Sequence, residues 1–397
     1  MLKGKTVLLA VTGGIAAYKM ANLASMLKKL ECNVHVLMTE NATNFINPIT
    51  FETLTENKCL VDTFDRNFEY NVKHVSLAKQ ADVVLVAPAT ANVIGKMANG
   101  LADDILTTTI ITCPCKKIVA PAMNTNMYNN PIVQDNIRKL KEYGMEVVTP
   151  DTGYLACGDI GAGKMPSEQV LLQYILKEIA HEKDMTGLNV LVTAGPTREM
   201  IDPVRYISNH STGKMGYEIA KHCMQRGANV TLISGKTNIP TPSFVQVIDV
   251  DSAKEMFDAV CDNYSNQDII IKAAAVADYT PKTKSNDKIK KNTGDLSIEL
   301  ARTKDILEYL GHHKKPHQFL CGFSMETENL IVNSSKKLEK KHADMIVANN
   351  LNVEGAGFGT DTNVVTFITK DKVIDHPIMS KEKLAEKLID FILAKRN

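Results

Sequence analysis

The sequence predicts an α/β protein built as two consecutive domains, each a largely parallel sheet wrapped by helices. Three observations carry this. Apolar, strand-like runs alternate with helix-periodic stretches through both halves. Two of those runs, 7–15 (VLLAVTGGI) and 189–197 (NVLVTAGPT), pass through Thr and Gly straight into a helix start. The 397 residues also exceed what a single hydrophobic core usually holds. Strands that are apolar along their whole length need cover on both faces, which crossover helices provide.

In the first half the strand signals are VLLAV (7–11), NVHVLMT (33–39), ADVVLVAP (81–88), KKIVAPAM (116–123) and GMEVVTP (144–150), with a helix from about Ala16. In a doubly wound sheet ligands gather at the carboxyl ends of the strands. Polar residues collect there: 12–14, Thr39, 88–92 and 121–126. The stretch 151–165 (DTGYLACGDIGAGKM) is Gly-rich and without period, so it reads as an extended loop, and 167–183 reads as the helix that follows it. Strand signals restart with NVLVTAG (189–195), NVTLISG (229–235), FVQVIDV (244–250), DIIIKAAAVADY (268–279), HQFLCGFSM (317–325), DMIVANN (344–350) and VVTFITK (364–370), before a closing helix over 381–395. The expected division is residues 1–189 and 190–397.

Lys plus Arg (46) nearly equals Asp plus Glu (45), so no global field favours nucleic acid or an anionic membrane. No apolar run is long enough to span a bilayer, and the N-terminus lacks a secretory pattern, so the expectation is a cytoplasmic protein without a membrane partner. Eight cysteines include one close pair, Cys113 and Cys115, with no second pair or His cluster to complete a zinc site.

Both Thr-Gly turns aim backbone N–H groups at one point, as an anion requires, yet neither is a full G-x-G-x-x-G, and G-x-x-x-x-G-K-[ST] is absent. Asn124, after the strand KKIVA, is open to two readings: an amide that grips a carboxylate, or a turn Asn. Cys157, between Gly-rich flanks, is hard to place in a core and could serve as a proton donor. His74, before a helix-like stretch, reads as a capping residue or a base. Arg205, Asn209, Ser211, Thr212, Gly213 and Lys214 in RYISNHSTGKMG form a polar turn at a helix start, suited to an oxyanion. The basic stretch 281–291 (PKTKSNDKIKK) is a solvated loop or a flap over a polyphosphate.

These motifs, taken together and in order, resemble the bacterial bifunctional family that joins phosphopantothenoylcysteine decarboxylase to phosphopantothenate–cysteine ligase in coenzyme A biosynthesis. The first half carries GGIAAYK (13–19), KHVSL (73–77), PAMNTNM (121–127) and ACGDIGAGKM (156–165). The second carries 194–216 (AGPTREMIDPVRYISNHSTGKMG), AAAVADY (273–279) and KIKK (288–291). The resemblance covers essentially the whole chain. It implies a flavoprotein-type doubly wound N-terminal domain and a second, Rossmann-like ligase domain.

For the first domain the resemblance implies FMN, held by Gly13, Gly14, Ile15, Ala16, Thr39, Pro88, Ala89, Thr90, Asn92, Ala122 and Met123. It assigns His74 to the oxidation and decarboxylation steps, Asn124 to the substrate carboxylate, and Cys157 to protonation of the enethiolate. For the second it implies activation of 4′-phosphopantothenate by CTP, then attack by cysteine. Ala273, Ala274, Ala275, Asp278, Lys288, Thr303, Lys304, Asp305, Ile306, Phe323, Lys337 and Lys341 would surround CTP, and Arg205, Asn209 and Ser211 would hold the phosphopantothenate. Mg²⁺ is expected with the triphosphate, without assigned ligands. The family further implies a homo-oligomer, trimer-based and up to a dodecamer. Lys164, Tyr128 and Thr212 stand where the family more often has Arg, Trp and Ser.

Overall fold

Val7 to Val11 are buried on both faces, and a strand of that kind forms only inside a covered sheet. The computed structural model describes residues 2–63, 73–290, 295–326, 328–350, 357 and 359–396, and divides into two compact units, Met1–Glu182 and Lys183–Asn397. The division falls ahead of the expected one after residue 189, because the intervening segment is tied to the second unit. The Met185 N–H donates to the Arg226 carbonyl at 3.0 Å, and the Arg226 guanidinium pairs with Asp184 and Asp390.

The first unit has strands β1 (Thr6–Val11), β2 (Asn33–Met38), β3 (Val83–Ala89), β4 (Lys116–Pro121) and β5 (Glu146–Val147), all parallel, in the order β2-β1-β3-β4-β5. Alternate residues serve opposite cores. Val7, Leu9 and Val11 meet Leu23 and Leu27 of the helix Lys19–Lys29 and Leu171 and Ile175 of the helix Glu168–Ile179; Leu8 and Ala10 meet Val93, Ile94 and Leu106. The chain leaves β1 toward β2 on one side and later returns to β3 on the other, so a crevice opens between the carboxyl ends of β1 and β3. The segment expected as an extended loop instead forms a hairpin, β6 (Asp151–Tyr154) and β7 (Ile160–Lys164). It lies outside the main sheet, so its strands carry no apolar alternation from which to read them.

The second unit is an eight-stranded sheet of β8 (Asn189–Ala194), β11 (Asn229–Ser234), β12 (Gln246–Asp249), β13 (Ile269–Lys272), β16 (Phe319–Glu326), β17 (Met345–Asn350), β18 (Thr362–Ile368) and β19 (Val373–Ser380). Its order is β12-β11-β8-β13-β16-β17-β18-β19, parallel up to β17 and antiparallel after it. Two small hairpins stand apart, β9 (Arg198–Met200) with β10 (Tyr206–Ser208), and β14 (Tyr279–Pro281) with β15 (Leu300–Arg302). The edge strand β19 was not expected. Its Pro377 and its exposed side chains deprive it of a strand pattern, and an edge tolerates both. No helix among the described residues is long and apolar enough to cross a membrane.

The helix Lys214–Gln225 lies so close on β8 that a Cβ on Gly216 would stand 2.5 Å from the Ala194 Cβ and 3.1 Å from the Thr193 carbonyl oxygen. Alanine normally favours a helix over glycine by about 1 kcal/mol. Here overpacking reverses the sign: Gly216→Ala should destabilise the second unit by about 1–3 kcal/mol. Urea unfolding followed by circular dichroism checks this, and a variant as stable as wild type would refute it.

Candidate active sites

At the crevice of the first unit Thr12, fully buried, donates its hydroxyl to the Pro88 carbonyl at 2.6 Å and accepts from the Thr90 N–H at 3.1 Å. The ends of β1 and β3 are thereby locked together. Gly13 sits against Asn41, where a Cβ would come within 2.7 Å of the Asn41 Cβ. Gly14 opens the short helix Ile15–Tyr18 with no side-chain cap, which leaves that turn free for an outside acceptor. Thr39, at the end of β2, buries its hydroxyl with no hydrogen-bond partner among the described residues. A buried hydroxyl without a partner is costly, and a phosphate or ribityl oxygen would satisfy it. Pro88 and Ala89 edge the same crevice from β3, with Thr90 capping the helix Ala91–Ala98 and Asn92 exposed in its first turn; Ala122, just after β4, joins through its N–H to the Ala89 carbonyl at 3.0 Å. These residues fit a phosphorylated flavin.

The hairpin carries Cys157 to Asn124. Asn124 caps the helix Thr125–Asn129, its Oδ1 accepting from the Asn126 N–H at 2.8 Å, which fixes the amide with Nδ2 outward. That nitrogen lies 3.3 Å from the Cys157 Sγ and donates to Asp159 at 2.6 Å. Cys157 is exposed, and its thiol lies 3.4 Å from the same Asp159 oxygen. The hairpin docks through backbone. Met123 N–H donates to the Gly163 carbonyl at 3.0 Å, and at Gly163 (φ +126°) a Cβ would fall 2.3 Å from the Met123 oxygen. His74 belongs to the helix Lys73–Gln80, but its side chain lies outside the described residues.

The second unit holds a cavity of about 820 Å³ at the carboxyl ends of β13, β16 and β17. Asn209, Ser211, Ala273, Ala274, Ala275, Asp278, Thr303, Lys304, Asp305, Ile306, Phe323, Lys337 and Lys341 all line it. Asn209 Nδ2 donates to the Ala275 carbonyl at 3.1 Å, and Ala275 in turn donates its N–H to Gly195 at 3.0 Å. Gly213, in the left-handed region at φ +82°, starts the helix Lys214–Gln225 with no side-chain cap, so the helix N-terminus opens on the cavity. Thr303 donates its hydroxyl to the Ala277 carbonyl at 2.7 Å. Lys341 pairs with Asp305 at 3.0 Å and with Glu308. Burial pulls the Lys341 pKa down, but the two carboxylates outweigh it and the net shift is upward. For Asp305 burial pulls upward, and the Glu308 N–H and Lys341 bring the net shift below the usual value.

Lys272, which the sequence reading passed over inside an apolar run, lines the same cavity from the end of β13. It makes no hydrogen bond or ion pair with a described residue, and burial pushes its pKa down to about 8. The available signal was its place, a lone charge at the carboxyl end of a buried parallel strand. Asp159 and Asp202 were missed as well. Arg205 and Lys288 do not line the cavity: Arg205 holds Asp202 and the Ile289 carbonyl, and Lys288 is exposed on the adjoining segment.

Residues 1–180 match the family described as flavoprotein, and residues 185–395 match the DNA/pantothenate metabolism flavoprotein C-terminal domain. The coenzyme A biosynthesis bifunctional protein CoaBC of Bacillus subtilis strain 168 is 46% identical over 398 residues, 99% of this chain and 98% of that protein. Its counterpart in Escherichia coli K12 is 39% identical over 397 residues, 99% and 98% of the two chains. A crystal structure of a CoaBC C-terminal domain aligns with 42% identity and a TM-score of 0.46, over 53% of this chain and 96% of that one.

Proposed function

Because the chain belongs to the family of coenzyme A biosynthesis bifunctional proteins, we propose that its first unit decarboxylates phosphopantothenoylcysteine to 4′-phosphopantetheine and its second makes that substrate from 4′-phosphopantothenate and cysteine. The chain is an enzyme with both a phosphopantothenate–cysteine ligase and a phosphopantothenoylcysteine decarboxylase activity. The assignment of each to a unit rests chiefly on the 3.3 Å approach of Asn124 to Cys157, which pairs a neutral carboxylate grip with a thiol proton donor.

A saturated cysteinyl carboxylate has no electron sink at its α-carbon. FMN, which the Gly13–Gly14 turn and Thr39 would hold, would supply one by taking a hydride from the thiol-bearing carbon and returning it once CO₂ has left, so that the reaction is redox-neutral overall. Asn124 then orients the carboxylate for loss as CO₂, and Cys157 delivers a proton to the carbon left behind. His74 serves the same steps.

In the second unit the pantothenate carboxylate attacks the α-phosphorus of CTP. Its oxygen forms the new P–O bond as pyrophosphate leaves, and the cysteine amine then displaces CMP from the acyl cytidylate. No protein nucleophile is required; charge neutralisation is. Lys337, Lys341 and Lys272 surround the departing phosphates, Lys288 closes over them, and Arg205, Asn209 and Ser211 hold the phosphopantothenate. Mg²⁺ would arrive on the triphosphate, where Asp278, Asp305 and Glu308 are the carboxylates in the cavity wall. Exposed Leu101, Ile111, Ile132 and Tyr143 of the first unit are suited to the apolar contacts of a trimer-based homo-oligomer. A cytoplasmic site fits substrates that are all charged and small.

Purified protein should be yellow and release FMN on denaturation. With CTP, Mg²⁺, cysteine and 4′-phosphopantothenate it should form pyrophosphate, CMP, CO₂ and 4′-phosphopantetheine in equal amounts. Accumulation of phosphopantothenoylcysteine without CO₂ in the flavin-loaded protein would remove the assignment to the first unit; absence of pyrophosphate would remove that to the second.

A further inference from the structure

We propose that Asp202 is a positioning residue that fastens Arg205 and the Lys288 segment into one body, so that a single buried carboxylate sets both the substrate-side guanidinium and the lysine that serves the leaving phosphates. This rests on the roles given above to Arg205 and Lys288.

The Asp202 side chain is fully buried and takes five donors on two oxygens. Oδ1 accepts from the N–H groups of Val204 and Arg205, both at 2.8 Å, which closes the local turn. That turn needs one oxygen only. Oδ2 accepts from Arg205 Nε at 3.0 Å and Nη2 at 2.5 Å, and from the Ile289 N–H at 3.2 Å. Arg205 Nη2 completes the loop by donating to the Ile289 carbonyl at 3.0 Å. The segment is also stitched upstream, where the Ser285 N–H donates to the Ile201 carbonyl at 3.0 Å. Ile289 follows Lys288 directly, so the anchor lies one residue from the exposed ammonium.

The guanidinium keeps part of its surface open, with the side chain 44% exposed and Nη1 without a hydrogen bond to a described residue. An anion arriving there meets an arginine already oriented. The two held edges of the fork transmit its position to the Lys288 backbone.

Asn at 202 separates the two functions of the carboxylate. Its Oδ1 can still close the turn, while its NH₂ would face three N–H donors with nothing to offer them. In the full-length, FMN-loaded enzyme, Asp202→Asn should lower ligation kcat/KM for phosphopantothenate by about 10- to 100-fold. It should also speed tryptic cleavage after Lys288 and Lys290 severalfold. Decarboxylation of supplied phosphopantothenoylcysteine should stay within about twofold. Combined with Arg205→Ala, the loss should be far smaller than the product of the single effects, since both remove one unit. If Asp202→Asn folds poorly, Ile289→Pro removes one tether donor without touching the turn and should reproduce the ligation loss. Unchanged ligation in Ile289→Pro or Asp202→Asn, or losses that multiply with Arg205→Ala, would overturn the proposal. If Arg205→Ala and Lys288→Ala leave ligation intact, the roles given to those residues fall instead. The tryptic sites then decide the tether alone: faster cleavage in Asp202→Asn upholds it, and unchanged cleavage removes it.

Discussion

Replacing Cys157 with serine should lower decarboxylation turnover by about 10²- to 10⁴-fold, the usual worth of a positioned general acid, and leave ligation within about twofold. The Cys157 Sγ sits 3.3 Å from Asn124 and 3.4 Å from Asp159, and its loop is held by the Gly163 backbone. A hydroxyl can therefore occupy the same place without moving the loop, and the loss reports on proton delivery rather than on folding. A serine is far less ready to give up its proton to carbon. Asn124→Asp should be at least as damaging, because a second carboxylate would face Asp159, whose oxygen is now 2.6 Å from the amide nitrogen, and would repel the substrate carboxylate too. Release of labelled CO₂ from phosphopantothenoylcysteine, at equal FMN occupancy, is the measurement. Full turnover in the serine variant would show that the proton comes from elsewhere.

The second large effect belongs to Lys272. Lys272 forms no ion pair with a described residue, and burial outweighs the attraction of Asp305 and Asp278, so its ammonium destabilises the free protein and would gain from an incoming anion. Its pKa lies near 8 instead of the ordinary 10.5. Between those values the unfolded chain holds a proton that the folded chain has released, so stability rises with pH across that window. Below pH 8 the folded protein carries the ammonium at its full penalty. Lys272→Met should thus stabilise the nucleotide-free protein at pH 7 by roughly 1–3 kcal/mol and remove this group's share of the rise above pH 8. It should also weaken CTP binding by about 10- to 100-fold. In the wild type, CTP binding near pH 8.5 should draw in protons, because the triphosphate favours the charged amine. Calorimetry in two buffers of different ionisation enthalpy reads that uptake, and its persistence in Lys272→Met would assign it to another group.

Much of this was legible before any coordinates. Buried parallel strands announce themselves by unbroken apolar runs, and β1, β3, β8 and β13 all lie where VLLAV, VVLVAP, NVLVTA and IIIK stand. The ligand edge followed from the same pattern, because polar residues after such strands have few other places to go. What stayed hidden was whatever depends on meeting in space. The hairpin β6–β7 has no apolar face of its own; its Gly161 and Gly163 exist for close approach to Thr125 and Met123, which no local pattern reveals. Asp202 looks like an ordinary turn residue until Ile289 arrives from 87 positions away. Lys272 was concealed by the strength of the strand signal around it.

The attachment of the β6–β7 hairpin has an evolutionary corollary. Where it meets the body, the fit depends on the absence of side chains at Gly161 and Gly163 and on a main-chain bond, whereas Tyr154 and Ile160, flanking the Cys157 turn, project into solvent at 69% and 78% exposure. Mutation can therefore rewrite the outward residues while the reactive sulfur keeps its station. Substitutions confined to those two outer positions therefore leave the Cys157–Asn124 approach and the Gly163 attachment in place.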